Sequence, residues 1–209
     1  MEEKSVTLSD GQEIILDDDN DIFLSIKSGN EIIHTLEVSY PSGGYGGGKL
    51  LLSPSKRYLL FSYFSGESEE AYIIFRICNS HLESVYRSEY ICAEGASYIF
   101  SQSEEFLFYL LPESVGPWYK EDAKIDQKGN LFFEFCEINI LDIGSREISK
   151  YKIRVIPSQN WDKDFAEEEP PYLIGITDNF MLRMAMPWGE EKVAFPLDDI
   201  IVFQPKEKR

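Results

Sequence analysis

The chain is poor in the residues that most chemistry uses. It has two histidines, His34 and His81, and three cysteines, Cys78, Cys92 and Cys136. An odd cysteine count, with no CxxC pair and no clustered histidine, argues against a disulfide framework or a zinc centre. The cysteines are read as small buried apolar residues. No apolar run reaches the roughly 18 residues a membrane-spanning helix needs, so no membrane association is expected. Basic residues are scarce: 20 Lys and Arg stand against 37 Asp and Glu, a formal net charge of −17. That field repels phosphate backbones and anionic lipid, and no basic patch interleaved with aromatics offsets it, so nucleic acid is not an expected partner. Met1-Glu2-Glu3-Lys4-Ser5 lacks the basic flank and apolar stretch of a secretory signal, which implies a cytoplasmic location if this is the full gene product. A secreted form trimmed of its signal would look the same.

Catalytic signatures are missing too. There is no Gly-x-Ser-x-Gly elbow. His34 alternates with apolar neighbours in Ile32-Ile33-His34-Thr35-Leu36 and reads as a strand position, and His81 reads as part of the turn Asn79-Ser80-His81. Ser42-Gly43-Gly44-Tyr45-Gly46-Gly47-Gly48-Lys49 holds five glycines but no Gly-Lys-Ser/Thr ending, so it is read as a flap or a close backbone approach, not a phosphate loop. Asp17, Asp19 and Asp21 have the alternating oxygen spacing of a calcium loop. Ile22 stands where that loop needs Gly and Ser28 where it needs Glu, so they are read as a solvated acidic turn. No metal and no cofactor are expected.

What is present is strand material. Hydrophobic residues make up 43% and aromatics 14% of the 209 residues. Val, Ile, Phe and Tyr are dense, and turn residues recur roughly every 8–12 positions. A segment from Leu50 to Phe61 returns 48 positions later from Tyr98 to Tyr109: apolar strand, Ser-x-Ser turn, two polar residues, second apolar strand. A period of this order marks a strand-built repeat. Degraded copies occur around Ser9-Asp10-Gly11 and Asp178-Asn179, and each such hairpin is followed by another apolar pair. The expectation is one domain over 1–209, all-β, with four four-stranded antiparallel meanders at about 1–40, 41–90, 91–156 and 157–209. Leu51, Leu59, Phe61, Ile74, Ile99, Leu107 and Ile140 are expected in the core.

This layout resembles a WD40-like β-propeller, whose blades run strands a, b, c and d as a meander. The match is clearest at Ile138-Asn139-Ile140-Leu141-Asp142-Ile143-Gly144-Ser145. Leu141-Asp142 occupies the Trp-Asp place, so the signature Trp is missing, and Gly-His is missing as well. The resemblance implies a small four-bladed or open propeller, with a β-sandwich of the same meanders as the alternative.

In such a meander the a–b and c–d turns share one end and the b–c and d–a connections the other. Here the first set is short and the second holds every long segment. Long loops in compact domains tend to be functional or disordered. All three tryptophans fall in the second set, each beside carboxylates: Trp118 and Tyr119 near Glu121 and Asp122, Trp161 with Asp162, Asp164 and Glu167, Trp188 before Glu190 and Glu191. Trp is a preferred anchor at binding surfaces. With Tyr45, these residues are the expected partner-binding set. The expected function is a non-catalytic module binding a basic protein, for example as an acidic inhibitor of the immunity type. A carbohydrate-active or other hydrolase using loop carboxylates is the alternative, and a repeat scaffold without a dedicated site is a third.

Overall fold

The computed structural model describes residues 4–17, 21–38, 48–65, 69–89, 91, 96–110, 124–129, 131–155, 172–176, 182–185, 191–197 and 200–205. The chain divides into two compact units, Met1–Glu94 and Gly95–Arg209.

The first unit holds two four-stranded antiparallel meanders. One runs β1 (Ser5–Thr7), β2 (Glu13–Asp17), β3 (Phe23–Ser28) and β4 (Glu31–Glu37). The other runs β5 (Gly48–Leu52), β6 (Tyr58–Ser65), β7 (Glu69–Cys78) and β8 (His81–Arg87). Alternation along these strands decides the core. Ile14 and Leu16, Leu24 and Ile26, Leu59 and Phe61, Ile73 and Phe75 sit two apart on their strands and join one buried cluster. Strand order is set by turn chemistry: Gly11, Gly29 and Asn79 take positive φ, the backbone state that tight hairpins require. Leu51 is only half-buried, because Leu50 and Leu52 take the core side and alternation turns Leu51 to the opposite face.

The glycine-rich stretch ends in a close approach. A Cβ on Gly48 would collide with Cε2 of Phe61 and sit 2.9 Å from the Ser62 carbonyl oxygen. Phe61 is fully buried, so glycine is what lets β5 pair with β6 at this point.

The second unit carries the other two meanders: β9 (Ser97–Phe100), β10 (Phe106–Leu110), β12 (Leu131–Asp142) and β13 (Ile148–Val155), then β14 (Tyr172–Ile176), β15 (Leu182–Ala185), β16 (Glu191–Leu197) and β17 (Ile200–Pro205). A short strand β11 (Lys124–Ile125) pairs with β12. It lies within the long connection between β10 and β12, where no strand was expected. The two last strands, β13 and β17, pair in parallel from Lys152↔Ile200 to Val155↔Phe203 and fuse the meanders into one nine-stranded sheet. The sequence pattern anticipated only antiparallel pairs, because a parallel pair joins strands remote in sequence and leaves no local turn signal. Leu107, Phe100 and Leu141 share one face and are buried. Ile99 and Ile140 lie opposite Phe108 on the other face and are half-buried, against expectation. The fold class is all-β with antiparallel four-stranded meanders, as the repeat implied.

Candidate functional site

The repeated Ser-x-Ser segments form the same turn. In the first unit, Ser53 Oγ accepts the Tyr58 amide at 3.0 Å, the Ser53 amide donates to the Tyr58 carbonyl, and the Lys56 amide donates to the Ser53 carbonyl. In the second unit, Ser101 Oγ accepts the Phe106 amide at 3.0 Å, with Ser101 to Phe106 and Glu104 to Ser101 in the same roles. Lys56 and Glu104, at equivalent positions, have φ of 59° and 61°. The hydroxyl satisfies an amide that the tight turn removes from the ladder, which is why Ser recurs there.

The turn between β12 and β13 is closed in similar fashion. Asp142 Oδ1 accepts the amides of Gly144 and Ser145, both at 2.9 Å, and Arg146 takes a φ of 65°. The Asp of the Leu141-Asp142 pair is therefore a turn cap. Its Oδ1 is engaged by the backbone, which gives the residue a structural role at the turn.

Within each unit the two meanders run in the same sense. In the first, Lys56 Nζ donates to the Thr7 carbonyl at 2.7 Å, joining the two a–b turns. In the second, the Leu173 amide donates to Ser97 Oγ at 3.0 Å, joining the starts of β14 and β9, and β13 runs parallel to β17. Each unit thus gathers its short a–b and c–d turns at one end. Its b–c and d–a connections leave from the other.

The expected binding residues belong to those connections by strand order. Tyr45 falls between β4 and β5, Trp118 and Tyr119 between β10 and β11, Trp161, Asp162, Asp164 and Glu167 between β13 and β14, and Trp188 between β15 and β16. All eight lie outside the described residues. Of the acidic turn, Asp17 closes β2 opposite Phe23 and is exposed, Asp21 is exposed, and Asp19 lies outside the described residues. Among the described residues, no group of three or more His, Cys, Asp or Glu is arranged to hold a metal ion.

Two clusters went unforeseen. The first is a buried polar seam on the face of β6, β7 and β8 that alternation turns away from the unit's main core. Ser62 pairs with Tyr72 across β6 and β7, and both are fully buried. Ser88 Oγ accepts the Tyr72 amide at 2.9 Å, and the Tyr72 and Tyr86 rings lie 5.7 Å apart. Burial raises the Tyr86 phenol above its ordinary value and Glu89 pushes the same way, against the neighbouring Tyr72 hydroxyl, which lowers it. The second cluster is the contact of His34 with His81. Their rings pack edge-on, with centroids 6.3 Å apart. A β-bulge sets this up: Ile26 pairs with His34 but Lys27 pairs with Ile32, so Ile33 is extra and His34 sits opposite a core residue. Each histidine alone reads as incidental. Aligning the two meanders is the one signal that would have put both beside a c–d turn.

No protein-family model matches the sequence. No curated protein matches it either. Solved structures do resemble it in fold. A Bacteroides uniformis ATCC 8492 protein described as a "putative 6-phosphogluconolactonase" superposes with a TM-score of 0.51 at 12% identity, over 95% of this chain and 52% of its own. TolB from Acinetobacter baumannii gives a TM-score of 0.39 at 13% identity, over 97% of this chain and 46% of its own. The chain thus spans about half the length of these propeller-type structures. At this level of identity the likeness to the first is one of fold alone. The protein has a propeller-type, all-β fold built from four-stranded antiparallel meanders.

Proposed function

We propose that this protein is a non-catalytic binding module that engages a basic protein partner through its b–c and d–a loops. The observation behind this reading is the asymmetry of each unit. The short turns at one end use their own side chains, Ser53, Ser101 and Asp142, to satisfy their own backbone. Those three side chains are committed to closing their own turns. The long connections at the other end hold all three tryptophans and a dense set of carboxylates. With a net charge of −17, such loops would steer a basic surface into contact, and the rings would supply the affinity. An inhibitor of the immunity type, acting on a basic protein, is the concrete version; it rests on charge and size.

A second reading is a hydrolase using loop carboxylates. The fold likeness to a protein described as a lactonase brings it forward, but likeness of fold does not carry a reaction. Quantitative affinity capture from the native host separates the two. The wild type should retain a basic protein in stoichiometric amount. Trp118→Ala and Trp161→Ala should each weaken that complex by about 2 kcal/mol or more, with little loss of stability. Arg146→Ala, at a c–d turn, should not. Retention by both Trp variants together with loss by Arg146→Ala would refute the binding reading. Turnover of lactone or glycoside substrates that depends on loop carboxylates would favour the hydrolase.

A further inference from the structure

The only two histidines of the chain stand 47 positions apart and meet. They come from β4 and β8, the last strands of the two meanders of the first unit, which lie beside each other. We propose that His34 and His81 form a binding site for a divalent transition-metal ion, Cu2+ or Zn2+, that clips these two strands together.

Three observations support it. The first is separation. A metal–nitrogen bond is about 2.0–2.1 Å, and an imidazole nitrogen lies about 1 Å from its ring centre, so two rings sharing one ion have centres roughly 5–6 Å apart. The observed 6.3 Å lies just outside that range. His81 is exposed and free to close the difference by rotating its ring. The second is an unmet need. His34 Nε2 is buried and has no hydrogen-bond partner, an uncommon state for a ring nitrogen. A metal ion would satisfy it. The third is the junction itself. In the second unit the corresponding last strands, β13 and β17, are joined by a parallel backbone ladder. In the first unit β4 and β8 are each the edge of a separate sheet, and the two imidazoles stand at that junction.

The donor set selects the ion. Imidazole suits Cu2+ and Zn2+, whereas Ca2+ and Mg2+ require oxygen ligands. Two protein nitrogens leave the remaining positions to solvent. The site is therefore an exchangeable one, with Cu2+ bound more tightly than Zn2+.

The test is titration of the full chain with Cu2+ and with Zn2+ by calorimetry, alongside electron paramagnetic resonance of the Cu2+ form. One ion should bind per chain, and the Cu2+ spectrum should show two nitrogen ligands. His81→Ala, at an exposed position, should fold normally, weaken binding at least about tenfold and remove one nitrogen from the spectrum. His34→Gln should do the same. Zn2+ should raise the melting temperature of the wild type and leave that of His81→Ala unchanged. The proposal is overturned if the wild type binds no stoichiometric ion. It is equally overturned if His81→Ala binds as tightly as the wild type, since the ion would then sit on carboxylates elsewhere.

Discussion

Replacing Ser53 by Ala removes one hydroxyl and leaves the Tyr58 amide without the acceptor it has at 3.0 Å. Ser53 is 2% exposed, so water cannot readily take its place. Leaving a buried donor unsatisfied costs about 1–3 kcal/mol. Ser101→Ala does the same to the Phe106 amide, but Ser101 is 9% exposed, so its cost should fall at the lower end. Ser55→Ala is the control. Its hydroxyl accepts from exposed Arg57 at 3.2 Å, and its loss should change stability by less than about 0.5 kcal/mol. Denaturant unfolding followed by circular dichroism would show a lower midpoint with an unchanged slope for both buried-serine variants. Amide hydrogen exchange would locate the effect: Tyr58 should lose protection in one variant and Phe106 in the other. If both cost less than about 0.3 kcal/mol, the hydroxyls do not hold the turns. If one is costly and the other silent, the two turns are not energetically equivalent despite their shared geometry.

Gly48→Ala should destabilise the chain by about 1–3 kcal/mol, because the added methyl meets the buried Phe61 ring and the Ser62 carbonyl; unchanged unfolding would show that β5 shifts freely. Tyr86 sets an alkaline limit. Its phenol is held above the ordinary 10.0, chiefly by burial, so the unfolded chain ionises first as pH rises. Its contribution is fully present below about pH 10 and is lost as pH climbs through the raised folded value. Melting temperatures from pH 8 to 11 should therefore fall less steeply for Tyr86→Phe than for the wild type, and parallel curves would remove Tyr86 from the account.

Local pattern carried most of the secondary structure. Alternating apolar residues bounded by Ser, Gly, Asn and Asp turns marked sixteen of the seventeen described strands, because a hairpin is specified by neighbours in sequence. The repeat of 50–61 at 98–109 was legible down to the serine hydroxyl, since that hydrogen bond spans five residues in both copies. Strand β11 escaped because two residues, Lys124 and Ile125, are too few to show a period. The burial of Leu51, Ile99 and Ile140 was misjudged because an apolar strand does not announce which face is covered.

Long-range features followed a different logic. The parallel pairing of β13 with β17 and the meeting of His34 with His81 join residues 45 or more positions apart. No turn or period encodes such pairs, because they join strands of different meanders. The bulge at Ile33 shows the boundary well. One extra residue moves His34 onto the core side of β4, and the residues Ile32-Ile33-His34 carry no sign that the strand slips there. Composition and periodicity could thus specify an acidic, all-β repeat protein and the spacing of its turns, because those depend on interactions between near neighbours. Which edges meet, which polar atoms are buried, and which two imidazoles share a junction depend on packing between whole sheets, so they appear only in three dimensions.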